Sequence, residues 1–220
     1  MNICDAPLPR EFYLSDTLSA ARRLLGKILI HDTDAGRAAG VIVETEAYMG
    51  RSDAACHTFG MDSPKAGHRT EAMFFEGGHA YVYLIYGMYC CFNVVTGPEG
   101  IAEAVLIRAL EPVEGLDLML ARRRLQQSDG CERKLCSGPG KLCRALDITR
   151  AENGLDLTNG PLRIVEGVSA DDMQVAVTPR VNVDYAGADA LLPYRFVVKD
   201  SPFLSVRGPR RRSSRSAEAL

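Results

Sequence analysis

Alternation of apolar and polar positions predicts short strands in the first half of the chain. Five segments combine a two-residue period with the β-branched and aromatic residues that favour strands. They lie at residues 27–31, 40–46, 79–86, 89–96 and 101–110. The first two are expected to pair as a hairpin. A tight turn at Tyr86-Gly87-Met88-Tyr89 is expected to join the next two.

A helical period appears in three places. Ser15, Asp16 and Thr17 offer N-cap residues for a first helix. A second helix is predicted to begin at Pro112, and a third at Ser137-Gly138-Pro139. The apolar residues of the three predicted stripes are Leu18, Ala21, Leu24 and Leu25; Leu116, Met119, Leu120 and Leu125; and Leu142, Ala145 and Leu146.

The remaining pattern completes an α+β prediction. Strands return at residues 162–165, 173–177, 180–183 and 195–199, whereas residues 50–72 have the Gly, Ser, Pro and Asp content of a long loop. No repeat and no linker divides the chain. We therefore expect one domain over residues 1–206, built around a curved antiparallel β-sheet with flanking helices. The basic segment 207–220 has the composition of a disordered tail.

Composition is that of an ordinary globular protein. The chain has 220 residues, of which 46% are hydrophobic and 25% charged. No apolar run has the length of a membrane span, and no secretory signal is visible, so we expect no membrane partner. We expect a cytoplasmic location. The protein would be associated with the nucleoid in a bacterium and would be nuclear in a eukaryote. The seven cysteines lack CxxC spacing, which favours free thiols, no metal site and no cofactor.

Charge limits how the chain could bind a nucleic acid. The net charge is −2, and five arginines of the tail contribute to it. Without residues 207–220, the chain has 21 positive and 27 negative residues. Any affinity for DNA must therefore come from a local basic patch.

The strand at residues 41–48 carries the first candidate chemistry. Three apolar residues precede Glu44, Glu46 and Tyr48, which share one face because side chains alternate along a strand. A carboxylate beside an aromatic ring could hold a flat substrate and activate a water. The alternative is a strand that leaves the core with two solvated glutamates and a tyrosine at its rim.

Four of the eight tyrosines lie within nine positions. Tyr81 and Tyr83 share a strand face, Tyr86 occupies the hairpin tip, and Tyr89 begins the return strand. An aromatic side chain at an exposed tip could insert between DNA bases and fill the gap left by an extruded nucleotide. The alternative is a tyrosine-rich strand pair, which explains Tyr81 and Tyr89 better than Tyr86.

Isolated polar residues add further candidates. Asn93 lies in an apolar strand, so its amide either bonds internally or faces a polar ligand. Arg108 interrupts another apolar strand and is expected to pair with a carboxylate or a phosphate. His57 is more typical of a satisfied loop histidine than of a catalyst. Ser137-Gly138-Pro139-Gly140-Lys141 could bind a DNA phosphate at a helix start, although alone it is typical of a capped helix.

Four segments in consistent order resemble the alkyladenine DNA glycosylase family, the 3-methyladenine or N-methylpurine DNA glycosylases. They are Glu44–Gly50, Tyr81–Tyr89, Leu106–Pro112 and Leu135–Cys143. The resemblance covers about residues 8–206. It implies a monomeric, monofunctional enzyme of base-excision repair. Such an enzyme flips a damaged purine out of double-stranded DNA and hydrolyses its N-glycosidic bond. Its substrates would include 3-methyladenine, hypoxanthine and ethenoadenine.

The resemblance also implies roles for individual residues. Glu46 would be the general base that activates water, and Arg108 would position the flipped nucleotide and the site around Glu46. Tyr86 would be the intercalating wedge. The base pocket would be formed by Tyr48, His57, Tyr83 and Asn93, and the DNA backbone would contact Met88, Tyr89, Ser137, Gly138 and Lys141. The sequence departs from the family pattern at Cys56, Asn182 and Asp184.

Three other readings remain to be separated from this one. A lyase would need an amine nucleophile in the pocket, and none of the five lysines lies within the strand motifs. A sugar glycosidase could use Glu44 and Glu46 as its carboxylate pair. A DNA-damage binding module could keep the flipping pocket without turnover.

Overall fold

The computed structural model describes residues 4–206, so the predicted tail at 207–220 lies outside the described residues. Eight antiparallel strands form one open sheet. They are β1 Ile28–Thr33, β2 Gly36–Tyr48, β3 Ala80–Ile85, β4 Tyr89–Thr96, β5 Glu103–Glu114, β6 Leu162–Val165, β7 Val175–Thr178 and β8 Arg195–Val198. The spatial order is β3-β4-β5-β2-β1-β6, with β8 pairing with both β2 and β7.

Five short α-helices accompany the sheet, so the expected α+β class is confirmed. They are α1 Arg10–Tyr13, α2 Thr17–Arg23, α3 Leu116–Arg123, α4 Glu132–Leu135 and α5 Pro139–Leu146. Turns of 3₁₀-helix occur at Gly50–Ser52, Glu71–Phe74, Arg150–Glu152, Ala170–Asp172 and Asp184–Leu191. Within residues 4–206, no helix is long and apolar enough to cross a membrane.

The long strand β2 organises the molecule. One edge pairs with β5 over nearly the whole strand, and the other edge pairs first with β1 and then with β8. The β2–β5 register shifts between Ile42 and Thr45, which is the signature of a bulge. This bulge lies where the polar residues of β2 begin.

Helices α2 and α5 cover the sheet. The Asp16 side chain caps α2 by accepting from the backbone N–H groups of Leu18 and Ser19, as the sequence predicted. The Thr45 hydroxyl of β2 donates to the Ala21 carbonyl of α2 at 2.8 Å. The apolar stripe of α5 is buried, with Leu142 and Leu146 fully inaccessible. One face of β2 thus belongs to the core, which leaves the opposite face for Glu44 and Glu46.

Two predicted elements are wrong. No helix begins at Pro112, because β5 continues through it to Glu114. Pro112 lies opposite Gly40, next to a register shift where its missing N–H breaks no regular ladder. Gly115 then turns the chain with a φ of 76°, and a Cβ there would lie 2.3 Å from the Arg37 carbonyl oxygen. Helix α3 begins only at Leu116.

The strand predicted at residues 180–183 is also absent. Asn182 has a φ of 59°, in the left-handed region that a strand does not adopt. The neighbouring prediction at 173–177 is found two residues later, at Val175–Thr178. The segment around Asn182 instead forms part of the wall of a cleft.

Candidate active site

Glu44 and Glu46 lie on one face of β2 and are both fully buried. Arg108 of β5 lies between them, with its Nε 3.1 Å from Glu44 Oε1 and its Nη1 3.1 Å from Glu46 Oε2. The expected pairing of Arg108 with a carboxylate is confirmed. The alternative of two solvated glutamates is wrong, because arginine side chains of the neighbouring strands β5 and β8 compensate the two negative charges inside the protein.

Both carboxylate oxygens of Glu44 accept hydrogen bonds from arginine and serine groups of the protein. Its Oε1 accepts from Arg108 Nε, from Arg195 Nε at 2.8 Å and from the Ser205 hydroxyl at 2.8 Å. Its Oε2 accepts from the Ser205 backbone N–H at 2.6 Å. Glu44 therefore orients Arg108 and holds the segment around Ser205 against the sheet.

Glu46 is held differently. Its Oε2 accepts from the Tyr48 hydroxyl at 2.9 Å and from Arg108, and its Oε1 accepts only from the Val181 backbone N–H at 2.7 Å. Burial raises the pKa of Glu46 and outweighs the opposing effect of Arg108, of the Val181 N–H and of Tyr48. A carboxylate has about four acceptor sites, so Oε1 retains one for a further donor.

A cleft of about 940 Å³ lies next to this carboxylate, which is itself fully buried. Tyr48, Arg108 and Val181, the three residues that bond Glu46, all line it. The other walls are the aromatic residues His57, Tyr83, Tyr86, Tyr89 and Tyr185, and the cations Arg69, Arg123 and Lys141. Its volume is that of a small-molecule site, and its surface suits a flat ligand attached to an anionic chain.

The aromatic wall brings two predicted pocket residues, His57 and Tyr83, together with Tyr81. Tyr81 and Tyr83 stack with ring centroids 5.4 Å apart, as expected for residues on one strand face. His57 meets the Tyr83 ring edge-on at 4.5 Å, and its Nδ1 lies 2.9 Å from the Tyr81 hydroxyl. Burial, aided by Arg69, lowers the pKa of His57 to about 4, so the ring is neutral at physiological pH.

Asn93 lies beneath this wall. Its Nδ2 donates to the Tyr81 carbonyl at 3.0 Å, so the internal bond considered from the sequence is present. Asn93 also lines a second cavity of about 40 Å³, together with Cys56, Tyr48 and Tyr83. Its amide is therefore held by an internal hydrogen bond, and its side chain also lines this smaller cavity.

The β3–β4 hairpin presents its tip to solvent. The Tyr86 side chain is 80% exposed, and its backbone has a φ of 52°. The turn continues through Gly87. Tyr89, which pairs with Ile85 next to the turn, packs against α5, where a Cβ on Gly140 would lie 3.0 Å from the Tyr89 Cβ. The hairpin tip thus projects from a strand pair that contacts α5.

The predicted backbone contacts lie close together, although not all lie in the cleft. Tyr89, Gly138 and Lys141 line it. Met88 lines a neighbouring cavity, and Ser137 lines a further one. The Ser137 hydroxyl lies 3.4 Å from Lys141 Nζ. The sequence reasoning missed Arg69, Arg123, Val181 and Tyr185, since none of these residues stands out from its local pattern.

A buried carboxylate is fixed by an arginine beside an aromatic cleft with a basic rim, and such a cleft suits a flat group on an anionic polymer. Residues 11–202 match the family model described as methylpurine-DNA glycosylase. The chain belongs to this family of DNA glycosylases, which hydrolyse N-glycosyl bonds in the repair of alkylation damage.

Similar proteins occur in archaea and bacteria. A protein of Methanocella arvoryzae is 50% identical over 204 residues, which cover 92% of this chain and 97% of its own. A protein of Bacillus cereus is 48% identical, with coverage of 90% and 98%. One of Bacillus cytotoxicus is 46% identical, with the same coverage. All three carry the name "Putative 3-methyladenine DNA glycosylase".

Proposed function

We propose that this protein is a monomeric, monofunctional DNA glycosylase of base-excision repair. It flips an alkylated or deaminated purine out of double-stranded DNA and hydrolyses the N-glycosidic bond with a water activated by Glu46. The substrates include 3-methyladenine, hypoxanthine and ethenoadenine. The observation that carries the proposal is the buried Glu46 carboxylate, whose three bonding partners Tyr48, Arg108 and Val181 line a cleft that is also walled by Tyr83 and His57.

The flipped base would enter between Tyr48 and the pair formed by Tyr83 and His57. Stacking against aromatic rings holds a purine regardless of its substituents, whereas contacts at its edge discriminate between bases. Asn93, which lines the smaller cavity with Tyr48, His57 and Tyr83, would disfavour the 2-amino group of guanine. The cleft thus provides permissive faces and one selective edge.

In the chemical step, a water bonded to Glu46 Oε1 would attack the sugar C1′. Glu46 takes the proton, the C1′–N bond breaks, and its electron pair leaves with the purine. The negative charge of Glu46 also favours the positive charge that develops on the sugar. Arg108, fixed by Glu44, holds Glu46 in place and contacts the cleft. A methylated purine that is already cationic leaves most readily.

The phosphates would lie along the basic side of the cleft. Arg123 and Lys141 line it, and so does Gly138, the N-cap residue of α5. Backbone amides at a helix start and nearby cations are suited to a phosphate. With a net charge of −2 for the whole chain, this patch supplies the local attraction that DNA binding needs.

Absence of strand cleavage follows from the same geometry. Of the lysines in the described residues, Lys141 alone lines the cleft, and its Nζ lies beside Ser137 rather than beside Glu46. We expect the protein to leave an intact strand with an abasic site that only alkali cleaves. Borohydride should trap no enzyme–DNA adduct. A trapped adduct, or nicking without alkali, would contradict this part of the proposal.

Tyr86→Ala tests the proposed wedge. Loss of one stacking contact is expected to weaken lesion binding by about 1–3 kcal/mol, or roughly 5- to 150-fold. Stability should stay within about 0.5 kcal/mol because Tyr86 is 80% exposed. Flipping can be followed with 2-aminopurine placed beside the lesion. The control is Leu191→Ala, which removes a side chain that is 77% exposed and does not line the cleft. Equal flipping by Tyr86→Ala and the native protein would rule out a wedge at this tip.

A further inference from the structure

Arg69 has no role in the reaction described so far, although it contacts two groups of the aromatic wall. It belongs to the long loop that precedes β3, and its side chain lines the cleft. Its Nη1 lies 3.1 Å from His57 Nδ1 and 3.1 Å from the Tyr81 hydroxyl. The same guanidinium lies 5.8 Å from the Tyr83 ring centroid. An exposed loop arginine thus makes specific contacts within the substrate pocket.

These contacts determine which ring nitrogen of His57 carries the proton. Arginine has only donors, so a hydrogen on His57 Nδ1 would face an N–H of Arg69 at 3.1 Å. The Tyr81 hydroxyl, 2.9 Å from Nδ1, can accept from Arg69 and donate to His57. The Arg69 contact therefore requires Nδ1 to be an acceptor, and the Tyr81 contact is compatible with that role. Nε2 is then the protonated nitrogen, and it is the one left for a ligand in the cleft.

We propose that Arg69 is a positioning residue of the excision reaction, which keeps His57 as a neutral ring with its Nε2–H directed at the flipped nucleotide. The proposal rests on the proposed function for the identity of the ligand. Its first test needs no DNA, so its failure is distinguishable from failure of the glycosylase assignment. Without Arg69, the Tyr81 hydroxyl can also accept a hydrogen bond from Nδ1–H, and Nε2 then presents a lone pair to the cleft.

The surroundings of His57 contain no second group of the same kind. The titratable residues that line the smaller cavity with His57 are Tyr48, Tyr81, Tyr83, Tyr185 and Cys56, and Arg69 contacts the ring directly. Burial raises the pKa of each of the tyrosines and of Cys56, so these groups are neutral at physiological pH. Arg69 is therefore the cation in direct contact with His57. Three further cations line the cleft: Arg108, which is held by Glu44 and Glu46, and Arg123 and Lys141 on the side of α5.

Nitrogen-15 NMR of the imidazole rings, with the DNA-free protein, is the first test. The chain has four histidines, so the spectrum of His57→Asn assigns the signals of His57. The native protein is expected to show an unprotonated Nδ1 and a protonated Nε2, with titration near pH 4. Arg69→Met should move the titration towards the ordinary value of about 6.5 and populate the other tautomer. Arg69→Lys, which can still donate to Nδ1, should restore part of the native pattern.

Kinetics of excision are the second test. Arg69→Met is expected to slow single-turnover excision at saturating enzyme by about three- to tenfold, the effect of one neutral hydrogen bond. In a His57→Asn background, the same substitution should have no further effect. Arg51→Met is the matched control, because Arg51 lies in the same loop, pairs with Asp62 and does not contact His57.

The two tests separate positioning from a plain DNA contact. A shifted His57 titration together with non-additive rates supports the proposal. An unchanged tautomer and titration in Arg69→Met would overturn it. An equal loss of rate with and without His57 would also overturn it, since Arg69 would then act directly on DNA. A uniform loss of affinity for undamaged duplex, with the tautomer of His57 unchanged, would likewise mean that Arg69 acts directly on DNA and would overturn the proposal.

Discussion

Glu46→Gln is expected to reduce single-turnover excision by about 10²- to 10⁴-fold, while binding to lesion-containing duplex is largely retained. Glutamine keeps the shape of the side chain, and its single oxygen can still accept from Arg108 and the Tyr48 hydroxyl, which bond to the same oxygen of Glu46. It cannot take a proton from water at neutral pH. Excision under excess enzyme and binding by fluorescence anisotropy measure the two effects separately.

Glu44→Gln is the matched control, because Glu44 is a buried carboxylate on the same strand and is also bonded to Arg108. Its oxygens accept from Arg108, Arg195 and Ser205. A far smaller loss of rate is therefore expected than for Glu46→Gln. Equal losses in the two variants would favour a carboxylate pair, as in a sugar glycosidase, over a single general base.

The pH dependence of excision follows from the environment of Glu46. Burial raises the pKa of Glu46 above its ordinary 4.5, and the base acts only when it is deprotonated. The rate should therefore fall as the pH decreases through this raised value, at a higher pH than for a solvated glutamate. This acid limb should be absent from the residual activity of Glu46→Gln.

Arg180→Met is expected to destabilise the protein by about 3–5 kcal/mol, because it leaves a buried carboxylate without its partner. Arg180 Nη2 lies 2.8 Å from Asp53 Oδ1, and both side chains are almost inaccessible. The guanidinium also lies 4.9 Å from the Tyr48 ring centroid, and it precedes the N–H that Val181 donates to Glu46. Thermal unfolding should show a midpoint lower by roughly 6–20 °C.

Two controls test whether the Arg180 effect comes from burial. Arg51→Met breaks the exposed pair with Asp62 and should cost at most about 1 kcal/mol. Asp53→Asn combined with Arg180→Met leaves no unpaired charge and should recover part of the loss. Full stability of Arg180→Met alone would mean that this pair does not support the wall of the cleft.

The same pair gives a pH test of stability. Burial alone would raise the pKa of Asp53, but the bonds from Arg180 and from the backbone of Met49 and Ala55 lower it overall. A lowered pKa in the folded state adds stability above the unfolded value of about 3.8, which is lost as the pH falls below it. The difference between native protein and Arg180→Met should therefore shrink in that acid range.

Local pattern was sufficient for every predicted strand except 180–183 and for the shared face of Glu44, Glu46 and Tyr48. It could not show that the glutamates are buried, because the groups that bond Glu44 at Arg108, Arg195 and Ser205 lie 64, 151 and 161 residues away in the chain. Pro112 was misread because a proline suits both a helix start and a strand beside a register shift. Val181 acts through its backbone N–H, which leaves no mark on its side chain.

Excision from defined duplexes tests the central claim most directly. The native protein, in excess, is incubated with duplexes that each carry one methylated purine, hypoxanthine or ethenoadenine, and the released base is identified by mass. We expect the free damaged base together with an intact strand that alkali then cleaves. Selective binding of these duplexes with no base released from any of them would contradict the account, and the protein would then be a DNA-damage binding module.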